Sequence, residues 1–428
     1  MELILLIYSL RIRDVLQDTN TFFEKLSSNH VEKMANNDDI LDITNLHLEG
    51  NFDSQVEGLM KYIRLTRTEV EQLQILINDL LGTMEKAWPG CTVHAFGSIV
   101  TGLGIKSSDL DCHISVPPWL WSPANVYVYK ARALLKKQPH IFKEPFAISE
   151  AKIPIVKFYH IPTQRQCDIT FTSPQSIENS KLLAYYMELD HRGKSLTILI
   201  KYWAKIHGLT GTNLIPNYAM ILLVVFYLQQ KAILPPVHRL QSNEHIVDNW
   251  NVAFEDVMHI SGNNITLYDL LGGFFIFYRD FNYDKFIISP FLGQPITRES
   301  FSKVGNEPPE YRLYRENLQN DRCKPLRMGS IICLQDPFDH SRNCTVAVHP
   351  KLVNKLMSYL RLGATAYEIE KSDAFLWAIL SMRIEERPAV TTKVDPRCIF
   401  KKKNASKKQK KIFHEAFIRA RQKNKNKI

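Results

Sequence analysis

The sequence predicts an α+β protein, with a small domain built on a mixed sheet facing a mainly helical domain across a cleft. Three observations carry this expectation. Strand-like segments are confined to residues 91–171. Apolar residues at helical spacing precede that block over 55–88 and return after about residue 178. One segment, 109–116, alternates strictly, so one face can pack while the other stays free for chemistry.

Residues 1–50 are polar to mixed, and 1–54 form an N-terminal segment of unknown role. The apolar run 3–7 lacks a basic flank before it and a small-residue cleavage pattern after it, so a buried first helix or strand is expected in preference to a signal peptide. Over 55–88, Leu59, Ile63, Val70, Leu73, Ile77, Leu80, Leu81 and Met84 repeat at helical spacing. They read as one long helix or two, expected to pack on the helical domain. Pro89-Gly90 stops the pattern. Strands follow at Cys91–Phe96, ending on Gly97-Ser98, and at Asp109–Val116, closed by Pro117-Pro118. Two more, Ile153–Tyr159 and Gln166–Phe171, are joined by a turn near 161–164. These strands define a strand-bearing domain over 89–180. Helices at Lys194–His207, Asn217–Gln230 and Thr266–Phe281 define a helical domain over 181–400, and a basic tail occupies 401–428.

A length of 428 residues amounts to two or three domains at roughly 150 each, and 45% hydrophobic content excludes a disordered or collagen-like chain. The longest apolar run, Met220–Leu228, falls far short of the ~20 residues that span a bilayer, so no membrane partner is expected. The chain carries 54 basic and 44 acidic residues, or +10. Residues 401–428 hold 12 Lys/Arg and one acid, or +11, which leaves −1 for the other 400 residues. Such a tail suits a polyphosphate partner or a nuclear address, the alternative being a disordered solubilising arm. The seven cysteines form no Cys-x-x-Cys pair, which favours neither a disulfide framework nor a zinc site and points to a reducing compartment.

Chemistry concentrates on the carboxylates. In 109–116, Asp109, Asp111, His113 and Ser115 share one face, and Leu110, Cys112, Ile114 and Val116 share the other. Residues two apart on a strand lie about 7 Å apart, close enough for their side chains to converge on a divalent ion. In Gln166–Phe171, Cys167, Ile169 and Phe171 face inward and Asp168 faces the other way. If the two strands are neighbours, three carboxylates meet. Bare, they would raise one another's pKa. Mg²⁺, with Mn²⁺ as a substitute, would relieve that conflict, and two such ions suit an in-line displacement at phosphorus. A lone Asp-x-Asp is as well read as a solvated strand edge. Phe96-Gly97-Ser98, a glycine turn at a strand end that offers N–H groups and a hydroxyl to a phosphate, weighs against that.

Gly97-Ser98, Asp109-Leu110-Asp111 and the distant Asp168 together resemble the signature of the non-canonical poly(A) polymerases and terminal uridylyltransferases, template-independent RNA polymerases with a polymerase-beta-like nucleotidyltransferase domain. The resemblance runs from about Gln55 to Arg361. It continues through Asn179-Ser180-Lys181-Leu182-Leu183, Lys201-Tyr202-Trp203-Ala204-Lys205, Asn217-Tyr218-Ala219-Met220, Leu270-Leu271-Gly272-Gly273-Phe274-Phe275 and Leu334-Gln335-Asp336-Pro337-Phe338-Asp339. It is greatest to the nuclear members that act on small nuclear RNA.

The resemblance implies the rest. The helical domain would be the family's poly(A)-polymerase-associated domain. Asp109, Asp111 and Asp168 would be catalytic and bind two metals, with Asp168 the base for the RNA 3′ hydroxyl. Gly97 and Ser98 would hold the triphosphate, with Lys201 and Lys205 neutralising it from one helical face. Asn179 would meet the ribose, Tyr218 would stack on the base, and Asn217, Asp336, Asp339 and Arg342 would complete the nucleotide site. Uridylylating members usually carry a histidine six residues after the aspartate of Asp-Pro-Phe. Here that position is Arg342, and the nearest histidine, His340, comes two residues earlier. The expected partners are an RNA 3′ end and UTP or ATP, with UTP favoured slightly. A monomer in the nucleus is expected, with the cytoplasm as alternative. The competing readings are an inactive RNA-binding scaffold that keeps the fold and an enzyme making oligonucleotide messengers.

Overall fold

A computed structural model describes residues 39–384, apart from 152, 173, 212, 256–261 and 304. The apolar run 3–7, Cys398 and the basic tail 401–428 lie outside the described residues.

The helical pattern at 55–88 resolves into two helices, α1 (Phe52–Ile63) and α2 (Arg67–Met84). Thr66 starts the second. The Glu69 N–H donates to Thr66 Oγ1 at 3.2 Å, and the Glu69 carboxylate accepts from the Thr66 N–H at 2.7 Å. This reciprocal box satisfies helix-end donors that would otherwise lack partners. The break corrects the expected packing. Only α1 lies on the helical part, with Phe52 against Tyr268 and Phe375. In α2, Leu73, Leu76, Leu80 and Met84 enter the core of the five-stranded sheet.

That sheet has five strands in the order β1-β2-β5-β4-β3. They are β1 (Thr92–Phe96), β2 (Leu110–Ser115), β3 (Phe142–Ile148), β4 (Ile155–His160) and β5 (Arg165–Thr170). β2 and β5 pair in parallel and the other neighbours are antiparallel, so the sheet is mixed, as expected. The inward alternation holds as well. Leu110, Cys112 and Ile114 of β2 and Cys167 and Ile169 of β5 are each at most 1% exposed. Each buried side chain of this kind contributes ~1.5–3 kcal/mol, so slipping either strand by one residue would expose the core set and bury the aspartates. Two elements of this part were not anticipated. Helix α3 (Ala124–Lys136) follows Pro123 without a side-chain cap. β3 is an edge strand with Pro145, a register shift between Lys143 and Phe146, and an exposed Phe146, so it shows no clean period.

The helical part comprises α4 (Gln175–Leu189), α5 (His191–Ile206), α6 (Asn217–Gln230), α7 (Leu267–Asp280), α8 (Arg312–Gln319), α9 (Pro350–Ile369) and α10 (Ser372–Ser381). Helix α6 is buried from Ala219 to Gln229, which explains a sequence apolar on every face. Two hairpins accompany the helices, β6 (Ile246–Val247) with β7 (Trp250–Asn251) and β8 (Phe286–Ser289) with β9 (Gln294–Thr297). The segment 333–335 hangs from β8: the Ile288 N–H donates to the Cys333 carbonyl and the Gln335 N–H to the Ile288 carbonyl, both at 2.9 Å. Among the described residues no helix is long and apolar enough to cross a membrane.

Candidate active site

The parallel pairing sets Asp111 directly opposite Asp168, on the side of the sheet away from the core. Asp109 stands exposed one residue before β2. Burial first, then the charges of Asp168 and Asp109, push the Asp111 carboxyl up to about 8. Burial also raises Asp168, against the pull of Lys157. The Lys157 ammonium contacts Asp168 Oδ2 from the neighbouring strand, where the two residues are register partners. The repulsion among the acids is therefore answered here by a lysine that the sequence pattern did not single out. Its signal was present, because Lys157 sits between the inward-facing Val156 and Phe158 and so shares the acidic face.

The donor set, carboxylate oxygens on adjacent strands, is of the kind a hard divalent cation takes. Among the described residues no three His, Cys, Asp or Glu side chains close around one point.

The turn after β1 lies against Asp111. Gly97 has φ +81°, and a Cβ there would stand 2.5 Å from Asp111 Oδ2. Both the backbone and the space require glycine. The Gly97 N–H donates to Ser180 Oγ at 2.9 Å, and Ser180 in turn donates to the Ser176 carbonyl at 2.8 Å. The Ser98 carbonyl accepts from the Leu103 N–H at 2.9 Å and from Thr101 Oγ1 at 3.0 Å, closing the loop. Two lysines of α5 brace the same loop. Lys201 Nζ donates to the Leu103 carbonyl at 2.6 Å, and Lys205 Nζ to the carbonyl and hydroxyl of Ser107, both at 2.8 Å. Lys201 is buried. Desolvation pulls its pKa down to about 7, Lys205 adds to that, and Asp111 opposes it. Neither lysine is an ordinary solvated one.

A second cluster gathers at Asp336, which is fully buried. Its Oδ1 accepts from the N–H groups of Phe338 and Asp339 at 3.0 and 3.1 Å, fixing the carboxylate in its turn. Its Oδ2 meets the Tyr218 hydroxyl at 3.2 Å, Asn179 Nδ2 at 3.4 Å and Arg342 Nη1 at 3.4 Å. The Cys344 thiol is 3.9 Å from the same oxygen, another neighbour that no sequence motif marked. The Arg342 guanidinium lies 5.7 Å from the Tyr218 ring centroid, a cation–π distance. Asn179 Oδ1 is buried without a protein partner.

Two expected members stand apart. Asn217 is exposed at the start of α6. The Asp339 carboxylate accepts from the Ser341 N–H at 3.1 Å and hydroxyl at 2.5 Å, which commits it to its own turn. His340 does not replace the histidine missing at position 342. It is buried among Phe291, Tyr311 and Trp250, with ring centroids 4.1, 4.9 and 5.4 Å away.

One helix joins the two halves. Successive residues of α4 face them, Asn179 reaching Asp336 and Ser180 reaching the Gly97 turn. Acid pair, loop and ring cluster are thereby held in one frame.

Residues 52–188 match the family described as poly(A) RNA polymerase, mitochondrial-like, central palm domain. The speckle targeted PIP5K1A-regulated poly(A) polymerase of Danio rerio is 26% identical over 340 residues, covering 68% of this chain and 42% of that protein. The mitochondrial poly(A) RNA polymerase of Homo sapiens is 25% identical over 385 residues, covering 79% and 60%. The terminal uridylyltransferase cid1 of Schizosaccharomyces pombe is 30% identical over 231 residues, covering 50% and 56%. The chain thus spans 42 to 60% of the length of these relatives. In fold it is similar to mtPAP in complex with UTP, with TM-score 0.66 and 21% identity over 80% of this chain and 75% of that one. It is also similar to the Cid1 poly(U) polymerase bound to Mg 3′-dATP, with TM-score 0.60 and 24% identity over 75% and 95%. Residues 52–188 thus match the central palm domain of this polymerase family, and the chain as a whole is similar in sequence and fold to poly(A) polymerases and a terminal uridylyltransferase.

Proposed function

We propose that the chain is a template-independent RNA 3′-terminal nucleotidyltransferase that transfers UMP or AMP from the triphosphate to an RNA 3′ hydroxyl and releases pyrophosphate. The single observation that carries this reading is the in-register pairing of Asp111 with Asp168 under a turn where only Gly97 fits. Asp109, Asp111 and Asp168 would hold divalent metal, which when bound supplies charge neutralisation for attacking and leaving oxygens. Asp168 would accept the proton of the RNA 3′ hydroxyl, and Lys157 would have to release that carboxylate. Gly97 and Ser98 would receive the triphosphate on a loop that Lys201 and Lys205 hold rigid from behind. The unpartnered Asn179 Oδ1 suits a ribose hydroxyl donor. A base stacked on Tyr218 would have the Arg342 guanidinium as a neighbour. Arginine donates and cannot accept, and it is long, so it can meet a uracil carbonyl or reach past the base to RNA, whereas a shorter histidine donor would crowd the pocket against adenine.

The test is to incubate the folded chain with single-stranded RNA, Mg²⁺ and each nucleoside triphosphate singly. Extension with UTP or ATP, abolished in Asp111→Ala, is expected. No extension with any triphosphate would leave the inactive RNA-binding scaffold as the reading. Residence in the nucleus and action at RNA 3′ ends in the cell belong to the same proposal, supported by the similarity to speckle targeted relatives.

A further inference from the structure

Between β2 and α3 the chain exposes two tryptophans, Trp119 at 79% and Trp121 at 75%. Their burial elsewhere would be strongly favourable, so exposing both needs a reason. The loop that carries them is stiff. Pro117, Pro118 and Pro123 fix its backbone, a 3₁₀ turn spans Pro118–Leu120, and the Tyr127 hydroxyl both accepts from the Ser122 N–H at 2.6 Å and donates to the Leu120 carbonyl at 3.2 Å. With Trp88, Tyr127 and Lys130 the two rings line a cavity of about 320 Å³. Lys130 Nζ sits 5.1 Å from the Trp88 ring centroid and donates to the Ala87 carbonyl at 3.4 Å. Residues 116–143 contain five Lys/Arg and no Asp or Glu. Lys130, Lys136, Lys137 and Lys143 among them are exposed.

We infer that the Trp119–Trp121 loop and the basic face of α3 grip the single-stranded RNA upstream of its 3′ end. The inference rests on the proposed RNA substrate and adds a second contact to it. Exposed rings on a stiff loop beside a helix that carries lysines and no acids are what sequence-tolerant binding of unpaired nucleotides uses, the bases stacking and the phosphates meeting lysines; Lys143 beyond the helix is already paired with Glu144. A proline-rich or apolar protein partner would use the rings but not the one-sided charge. β2 carries Asp111 near one end, and the loop leaves from the other, about 13 Å further along at ~3.3 Å per residue. The patch is therefore outside the nucleotide cleft and can meet only RNA that continues beyond it.

The experiment uses the full chain and labelled oligouridylates, a long one and a short one that fills the active site alone. Affinity is read by anisotropy across a salt series, and extension is read separately. Trp119→Ala/Trp121→Ala should weaken the long RNA at least about tenfold and leave the short one unchanged. Trp119→Phe/Trp121→Phe should retain most of the affinity, because a stacking surface remains. Lys130→Ala with Lys137→Ala should lower the salt slope for the long RNA. Unchanged affinity of the alanine double variant for long RNA overturns the inference, as does a change in oligomeric state by sedimentation in its place. Tryptophan-dependent binding in a chain that extends no RNA would keep this inference and sink the polymerase reading. Extension with tryptophan-independent binding would do the reverse.

Discussion

Asp168 and Lys157 face each other across β4 and β5, and their pairing occupies a carboxylate that the proposed chemistry would need free. Removing the lysine leaves half-buried acids facing one another. Lys157→Met should destabilise the protein in EDTA by about 1–2 kcal/mol, less than a fully buried pair because Lys157 remains 34% exposed. Added Mg²⁺ should close most of that gap in a thermal melt, and an equal loss with and without the ion would show that no cation shares the site. Gly97 supports a sharper expectation. Its φ of +81° and the 2.5 Å approach to Asp111 mean that Gly97→Ala must displace the carboxylate or the turn. A displacement of about 1 Å at a reacting centre costs on the order of 100-fold in rate, so kcat should fall that far while the melting temperature shifts little. In the proposed site, base choice would fall to Arg342. Arg342→His removes the guanidinium from Tyr218 and from Asp336 and should change the UTP-to-ATP incorporation ratio several-fold toward UTP. An unchanged ratio would mean that residue 342 does not touch the base.

At the scale of elements, α7 and α9 cross so closely that a Cβ on Gly363 would lie 2.7 Å from the fully buried Phe275 ring. Alanine would gain about 1 kcal/mol of helix propensity, but overpacking a filled core costs typically 1–3 kcal/mol. Since Phe275 has nowhere to move, Gly363→Ala should be net destabilising in denaturant titration. The segment that carries Asp336 has its own signature. Burial pushes the His340 imidazole down to about 3, so it stays neutral in the folded state while the unfolded chain protonates near 6.5. The unfolded state then binds more protons, so stability is complete above about pH 6.5 and falls by up to ~1.4 kcal/mol per pH unit below it. His340→Phe should flatten that acid limb, measured as unfolding free energy between neutral and acid pH.

Taken whole, the protein works by bringing together segments distant in sequence, and what was legible before folding follows from that. Strand alternation placed Leu110, Cys112 and Ile114 inward and Asp111 and Asp168 outward, because a period of two is a local property. The helix Asn217–Gln230 and the glycine turn at Gly97 were equally local, and their residues marked them. The break at Thr66 was written as a capping box, but the division of labour between α1 and α2 was not, since it depends on which core each helix meets. The edge strand β3 escaped because Pro145 and a bulge remove the period on which such reading depends. The charge sum of the tail was plain, and it makes a prediction for the complete chain. Deleting 401–428, which hold 12 Lys/Arg, should flatten the salt dependence of RNA binding by about 0.7 for each phosphate that the tail had neutralised. Residue types and their order were enough to mark the strand faces, the glycine turn and the resemblance to these polymerases. The pairing of Lys157 with Asp168, the bracing of the Gly97 loop by Lys201 and Lys205, the burial of His340 and the meeting of Asn179, Tyr218 and Arg342 on Asp336 required the fold. Each joins partners that no local period or propensity relates, and its energy depends on distances and desolvation that exist only once the chain has packed.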